Sequence, residues 1–176
     1  VRGLEGLMDW HVYPHMGDGG LAAGAALYVS AVEHGEAKNR QLPDCYLGVS
    51  HNEDEVVDAL RSSGLKYEER SDAPGFAGDV VGEGEFIFWW QGPMEYGPRA
   101  LGNRSIIAPA GDLEVKDKLN LQVKMRSWFQ PFCPSLLMED ADDLFLDADS
   151  VDRFMTMGYQ VRPERMDDVA AVVNVD

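Results

Sequence analysis

Four cations, and the spacing between them, are where chemistry enters this sequence. Arg99 and Arg104 stand five apart in QGPMEYGPRALGNRS (residues 91–105), a stretch holding three glycines and two prolines. Glycine opens backbone conformations closed to other residues and proline fixes them. Such a loop can bring backbone N–H groups and forked guanidinium donors onto one ligand. Lys124 and Arg126 stand two apart, and in an extended segment both side chains leave the same face. Two pairs of this kind suit a ligand with several negative charges. The competing readings are a structural Gly/Pro turn with solvated arginines and a partly covered surface strand.

The charge distribution favours a site. The chain carries 15 Lys/Arg against 31 Asp/Glu, a formal net charge of −16. That balance disfavours a nucleic-acid partner, since a phosphate backbone needs a basic face. Between Glu95 and Arg126, however, there are six Lys/Arg and four Asp/Glu, against nine and 27 elsewhere. Screening acts over about 8 Å at physiological salt, so a local cationic cluster attracts an anion despite the global charge. No apolar run approaches the roughly 18 residues of a membrane span. There is no basic-then-apolar leader, and Cys45 and Cys133 form no CxxC pair. A cytoplasmic protein with two free thiols is expected.

The elements that must position these cations read as an α/β (α+β) chain. A short strand is expected around residues 10–13, then a helix over 21–34 opened by MGDGG and stopped by Gly35. A glycine turn before a helix presents free N–H groups to an anion. Close packing of a small-residue helix, with Asp18 as its cap, explains the same pattern. A strand over 45–49 and a helix over 53–62 capped by Asn52 follow. The polar, Pro/Gly-bearing stretch 67–77 is the best domain boundary by composition. Further strands are expected over 86–90 and 105–108, a helix over 113–123 capped by Asp112, and a strand over 154–161. His11 and His15 flank Pro14, which opposes a helix and with it a shared metal. The acidic stretch 138–152 lacks the glycine and final glutamate of an EF-hand loop, so a solvated face is expected there.

These segments, in this order, resemble the carbamoyltransferases of the nodulation-protein-U type, which include antibiotic O-carbamoyltransferases. The likeness rests on Gln91-Gly92, Met94-Glu95, GPRALGNRS at 97–105, KDKLN at 116–120, Val123-Lys124, Arg126 and Trp128-Phe129. Pro131-Phe132 and Pro134-Ser135 continue it, and Gly17-Asp18, Gly20-Leu21 and Tyr46 to Gly48 support it upstream. The resemblance implies two catalytic domains. Residues 1–45 would be the tail of an actin-like ATPase-fold domain, 46–75 a linker, and 76–176 the first part of a YrdC-like twisted sheet with helices.

It further implies an enzyme that makes carbamoyl-adenylate from carbamoyl phosphate and ATP with Mg²⁺, then passes the carbamoyl group to an acceptor hydroxyl. Lys124 and Arg126 would be catalytic, matching the family's Lys-x-Arg. They would bind carbamoyl phosphate and ATP together with Arg99, Asn103, Arg104 and Ser105. Asp18 would complete a site for iron or another divalent metal, with histidine partners upstream of Val1. Pro93 and Gln130 depart from the arginines usual in the family. The missing initial methionine and the apolar pattern that breaks off near Val175 lead to the expectation of a piece of a longer polypeptide. Such a piece is expected to be inactive alone. The alternatives are a catalytically silent anion- or nucleotide-binding segment, or another YrdC-domain enzyme such as a hydrogenase-maturation carbamoyltransferase.

Overall fold

An antiparallel hairpin holds the centre of the chain. In a computed structural model that describes residues 4–7, 11–35, 42–148 and 152–173, strand β1 (Ile87–Trp90) pairs with strand β2 (Arg104–Ile107). The register runs from Ile87 opposite Ile107 to Trp90 opposite Arg104. Aromatic and β-branched side chains favour this pleated geometry, and both strands fall where residue pattern places them. What periodicity does not reveal is that they pair with each other. The pairing turns residues 91–103 into one hairpin loop, closed at its base by the sheet. Among the described residues the sheet stops at these two strands, so the fold is mixed helix with a small sheet.

Helix α1 (Asp18–His34) begins after Gly17 and ends on Gly35, whose φ of 64° is the left-handed stop expected of it. Helix α2 (Glu53–Ser63) opens on a capping box in which Asn52 and Glu55 satisfy each other's backbone N–H groups. Helix α3 (Ala73–Gly82) begins inside the stretch 67–77 whose composition suggests a domain boundary. The Asp72 side chain accepts from Gly75 N at 2.8 Å, and proline is tolerated in a first turn, where its missing N–H is not needed. Proline and glycine at 74 and 75 here belong to a helix start.

Helix α4 (Leu113–Lys118) runs on into a π-helical turn, Leu119–Val123. Asp112 caps it as expected, accepting from Glu114 N at 2.8 Å and Val115 N at 3.1 Å. Val115 and Leu119 are buried on its inner side. Replacing Asp112 by alanine is expected to cost about 1 kcal/mol, read as a lower urea midpoint with unchanged slope.

The main apolar cluster lies further on. Leu144, at the end of the short helix α5 (Ala141–Leu144), packs with Phe145 and Val169, flanked by Ala110, Tyr159, Val161 and Val172. The strand expected over 154–161 reduces to a single bridge between Phe145 and Val161. The strand expected over 45–49 is likewise irregular. Its backbone runs beside the hairpin loop, with Gly48 N to Met94 O at 2.8 Å and Met94 N to Val49 O at 2.9 Å. Residues 11–13 form no strand, and Trp10 lies outside the described residues. Helix α1 has no buried side chain; Leu21 and Tyr28 are each 71% exposed. Among the described residues no helix is long and apolar enough to cross a membrane.

Candidate functional site

The hairpin loop is built around one carboxylate. Glu95, 8% exposed, accepts through the same oxygen from Leu101 N at 2.7 Å, Asn103 N at 2.7 Å and Arg104 N at 3.1 Å. Burial pushes its pKa up, but the backbone N–H groups at Leu101, Glu95 itself, Asn103 and Arg104 together hold it below the ordinary value. A loop rich in glycine and proline leaves many N–H groups without ladder partners, and an ionised acceptor satisfies three of them at once. Gly97 and Gly102, at φ of 106° and 104°, take backbone conformations that a side chain would strain.

This carboxylate makes loop order pH-dependent. A depressed pKa in the folded state means that the charged carboxylate contributes stability above its ordinary value, near 4.3, and that this is lost as pH falls through the lower folded value. Hydrogen-exchange protection at the amides of Leu101, Asn103 and Arg104 is therefore expected to hold at pH 5 and above. It should fall away only as pH drops below the ordinary carboxylate range, through the lower folded value.

Three expected ligands of this loop already have partners. Asn103 is buried and donates from its side chain to Pro93 O at 2.6 Å. Arg104 donates to the carbonyls of Gln91, Gly92 and Asn103, and its guanidinium lies 4.3 Å from the Trp90 ring centroid. Ser105 Oγ accepts from Gly102 N at 2.9 Å. Arg99 differs. It is exposed, and no hydrogen bond or ion pair holds its guanidinium among the described residues. It borders a cleft of about 280 Å³ lined also by Tyr13, Gly17, Pro98, Phe154 and Thr156.

Arg126 sits close enough to feel it. The Arg126 pKa is lowered, first by burial and then by the positive charge of Arg99. Its Nε donates to Asn120 Oδ1 at 2.6 Å, one Nη to Gln130 Oε1 at 3.2 Å and the other to Pro131 O at 3.2 Å. The Phe132 ring lies beneath it at 4.6 Å. Lys124 is exposed at the end of the π-helical turn, its N–H bonded to Leu119 O at 2.8 Å. Lys124 has helical backbone angles and Met125 a left-handed φ of 45°. The segment is a tight turn, so the same-face argument, which needed an extended strand, does not apply. Among the described residues no carboxylate lies within ion-pair distance of Arg99, Lys124 or Arg126.

Asp18 opens α1 and is exposed. Among the described residues no three His, Cys, Asp or Glu side chains come together as a metal requires. Among the described residues Asp18 therefore offers a single carboxylate. His15 is turned inward, its ring 5.4 Å from that of Tyr96 and its Nδ1 buried without a partner. It lies so close to the start of α1 that a Cβ on Gly19 would meet its Nε2 at 2.0 Å.

Two residues of the site escaped the sequence reading: Glu95 and Asn120. Both stand in stretches picked out by resemblance, but an acid among arginines reads as a solvated counter-charge and an asparagine in a helical pattern as a surface residue. Nothing in their spacing marks either as buried.

The chain matches the carbamoyltransferase C-terminus family over residues 78–176. It is 38% identical over 177 residues to an uncharacterized protein of Methanocaldococcus jannaschii, covering 96% of this chain and 28% of that protein. It is 37% identical over 173 residues to nodulation protein NolO of Bradyrhizobium diazoefficiens, covering 96% and 32%. Nodulation protein U of Azorhizobium caulinodans is 40% identical over 97 residues, covering 55% and 17%. The chain belongs to the carbamoyltransferase family. It spans about a third or less of the length of these relatives.

Proposed function

We propose that this chain is part of an O-carbamoyltransferase that makes carbamoyl-adenylate from carbamoyl phosphate and ATP and transfers the carbamoyl group to an acceptor hydroxyl. The observation that carries the reading is the pair Arg99 and Arg126, close enough for one charge to act on the other, with Lys124 two residues before Arg126 in the chain, all three free of carboxylate partners among the described residues in a chain of net charge −16. Guanidinium groups held close together repel one another, and an anion between them relieves that repulsion. Carbamoyl phosphate and ATP bring several negative charges to one pocket.

Atom balance sets the order of events. Water releases phosphate from carbamoyl phosphate, and an oxygen of the resulting carbamate attacks the α-phosphorus of ATP. The bond to the β-phosphate breaks and pyrophosphate leaves. The acceptor hydroxyl then attacks the carbamoyl carbon, loses its proton, and AMP departs. Each step spreads negative charge over oxygens, which calls for fixed donors more than for a proton shuttle. In this reading Arg99, Lys124 and Arg126 bind the ligands, while Asn103, Arg104 and Ser105 shape the loop that carries Arg99. Mg²⁺ would accompany ATP, bound through its phosphates.

The placement of residues 1–45 in a separate actin-like domain draws support from α1. A helix with apolar residues all round and no buried side chain has the surface of one enclosed by further protein. Asp18 at its start would then supply one ligand to a metal whose other ligands lie in that domain. The same uncovered helix favours a second reading, that the 176 residues alone bind an anion or nucleotide without turnover. Calorimetry of this chain with ATP and carbamoyl phosphate separates the two: turnover heat argues against the silent reading, and binding without turnover supports it.

In the whole polypeptide, Lys124→Ala is expected to abolish carbamoyl-phosphate-dependent release of pyrophosphate from ATP. Release at the normal rate would remove Lys124 from the site.

A further inference from the structure

The side chain of Asn120 is fully buried, at 0% exposure, and every polar atom it has is in use. Its amide nitrogen donates to Trp128 O at 3.0 Å and to Gln130 O at 3.1 Å. Its Oδ1 accepts from Arg126 Nε at 2.6 Å. Both donors go to fixed backbone carbonyls, so the carboxamide cannot turn over without losing them. The oxygen is thereby left facing one place, the Arg126 Nε.

The backbone adds a second hold. Residue 120 lies in the π-helical turn Leu119–Val123, where Arg126 N donates to Asn120 O at 2.9 Å. A π-helical turn is a costly local departure from an α-helix, and such turns recur where a side chain must be aimed. Here the departure, with the left-handed Met125, brings the chain back on itself so that Arg126 meets the residue six positions before it. Gln130 Oε1 and the Phe132 ring complete the frame. A planar guanidinium gripped at Nε and at one N–H of each Nη presents its remaining N–H groups in a fixed direction.

We propose that Asn120 is the positioning residue for Arg126: its buried carboxamide, locked by the Trp128 and Gln130 carbonyls, holds the guanidinium in the orientation that binds the anionic substrate. The inference rests on Arg126 being a ligand for carbamoyl phosphate or ATP, and it gives the KDKLN segment a function that its position in the chain alone does not. Asn120 touches no substrate in this account. Its effect passes through Arg126 alone.

A double-mutant cycle in the whole polypeptide tests it. Asn120→Ala is expected to lower kcat/KM for carbamoyl phosphate by about tenfold to a hundredfold, the worth of one charge-assisted hydrogen bond that orients a ligand. In an Arg126→Ala background the same substitution is expected to cost less than about twofold. Equal losses in both backgrounds would overturn the proposal, because a merely structural asparagine harms both alike. A second measurement separates this inference from the reading beneath it. The arginine Nε–H resonance of Arg126 is expected to be slowly exchanging in the unaltered protein and lost in Asn120→Ala. If Arg126→Ala leaves kcat/KM unchanged, Arg126 is not a ligand and the reading of the site falls. The resonance then still decides whether Asn120 holds Arg126, and its persistence in Asn120→Ala would overturn that hold. Should Asn120→Ala fail to fold, the exchange rate of the Arg126 Nε–H in the unaltered protein carries the test, with exchange as fast as that of a solvated arginine contradicting the hold.

Discussion

Arg126→Ala in the whole polypeptide is expected to lower kcat/KM for carbamoyl phosphate by about a hundredfold to ten-thousandfold. Two charge-assisted hydrogen bonds to an anion are worth about 3–6 kcal/mol, and each 1.36 kcal/mol is tenfold in rate. Arg126→Lys should recover little. An ammonium on a flexible stem cannot span the Asn120, Gln130 and Pro131 oxygens and still present a planar fork to the ligand. Steady-state kinetics with carbamoyl phosphate as the varied substrate checks this. Activity within about threefold of normal for Arg126→Ala would mean that the guanidinium is a structural strut rather than a ligand.

Glu95→Ala comes second and acts on the loop. It leaves the N–H groups of Leu101, Asn103 and Arg104 without their shared acceptor. The expected cost is about 2–4 kcal/mol, since a buried donor left unsatisfied costs roughly 1–3 kcal/mol and water re-enters for some. Glu95→Gln keeps one oxygen but loses the charge, so about half that cost is expected. Urea denaturation reads both, and exchange protection at the three amides should drop selectively in each. Because the segment from Pro98 to Gly102 loses its anchor, affinity at Arg99 should fall as well. An unchanged midpoint in Glu95→Ala would show that the loop is organised by Arg104 and Asn103 instead.

How much of this was legible in the residues depends on the kind of information each part carries. Local signals were sound: Asn52 and Asp112 cap helices where their types and positions suggest, Gly35 ends one, and the aromatic run before Gln91 forms a strand. The misreadings came where one signal has two meanings. Proline and glycine at 74 and 75 serve a helix start as well as a loop, and only the cap from Asp72 decides. Lys124 and Arg126 are two apart, but spacing predicts a common face only for an extended backbone, and Met125 is left-handed. Long-range facts were not legible at all. That β1 pairs with β2, that Glu95 turns inward, and that Arg104 is held by carbonyls twelve and thirteen residues back all depend on where the chain returns to itself.

The division of labour among the arginines follows from that folding-back. In sequence Arg99 and Arg104 are equivalent, two cations in one glycine-rich loop. In the fold Arg104 has its donors taken by the loop, and Arg99 has none taken among the described residues. The site is therefore drawn from two hairpin-like returns of the chain. Glu95 supports the first, which carries Arg99, and Asn120 the second, which carries Arg126.

The central claim, adenylation of a carbamoyl group by a protein containing this cationic site, is tested most directly by isotope exchange. The whole polypeptide is incubated with ATP, carbamoyl phosphate and labelled pyrophosphate, without any hydroxyl acceptor, and label entering ATP is followed. The account predicts exchange that requires carbamoyl phosphate, proceeds without acceptor, disappears in Lys124→Ala and falls at least about a hundredfold in Arg126→Ala. Exchange that ignores carbamoyl phosphate, or that survives in both variants, would contradict it.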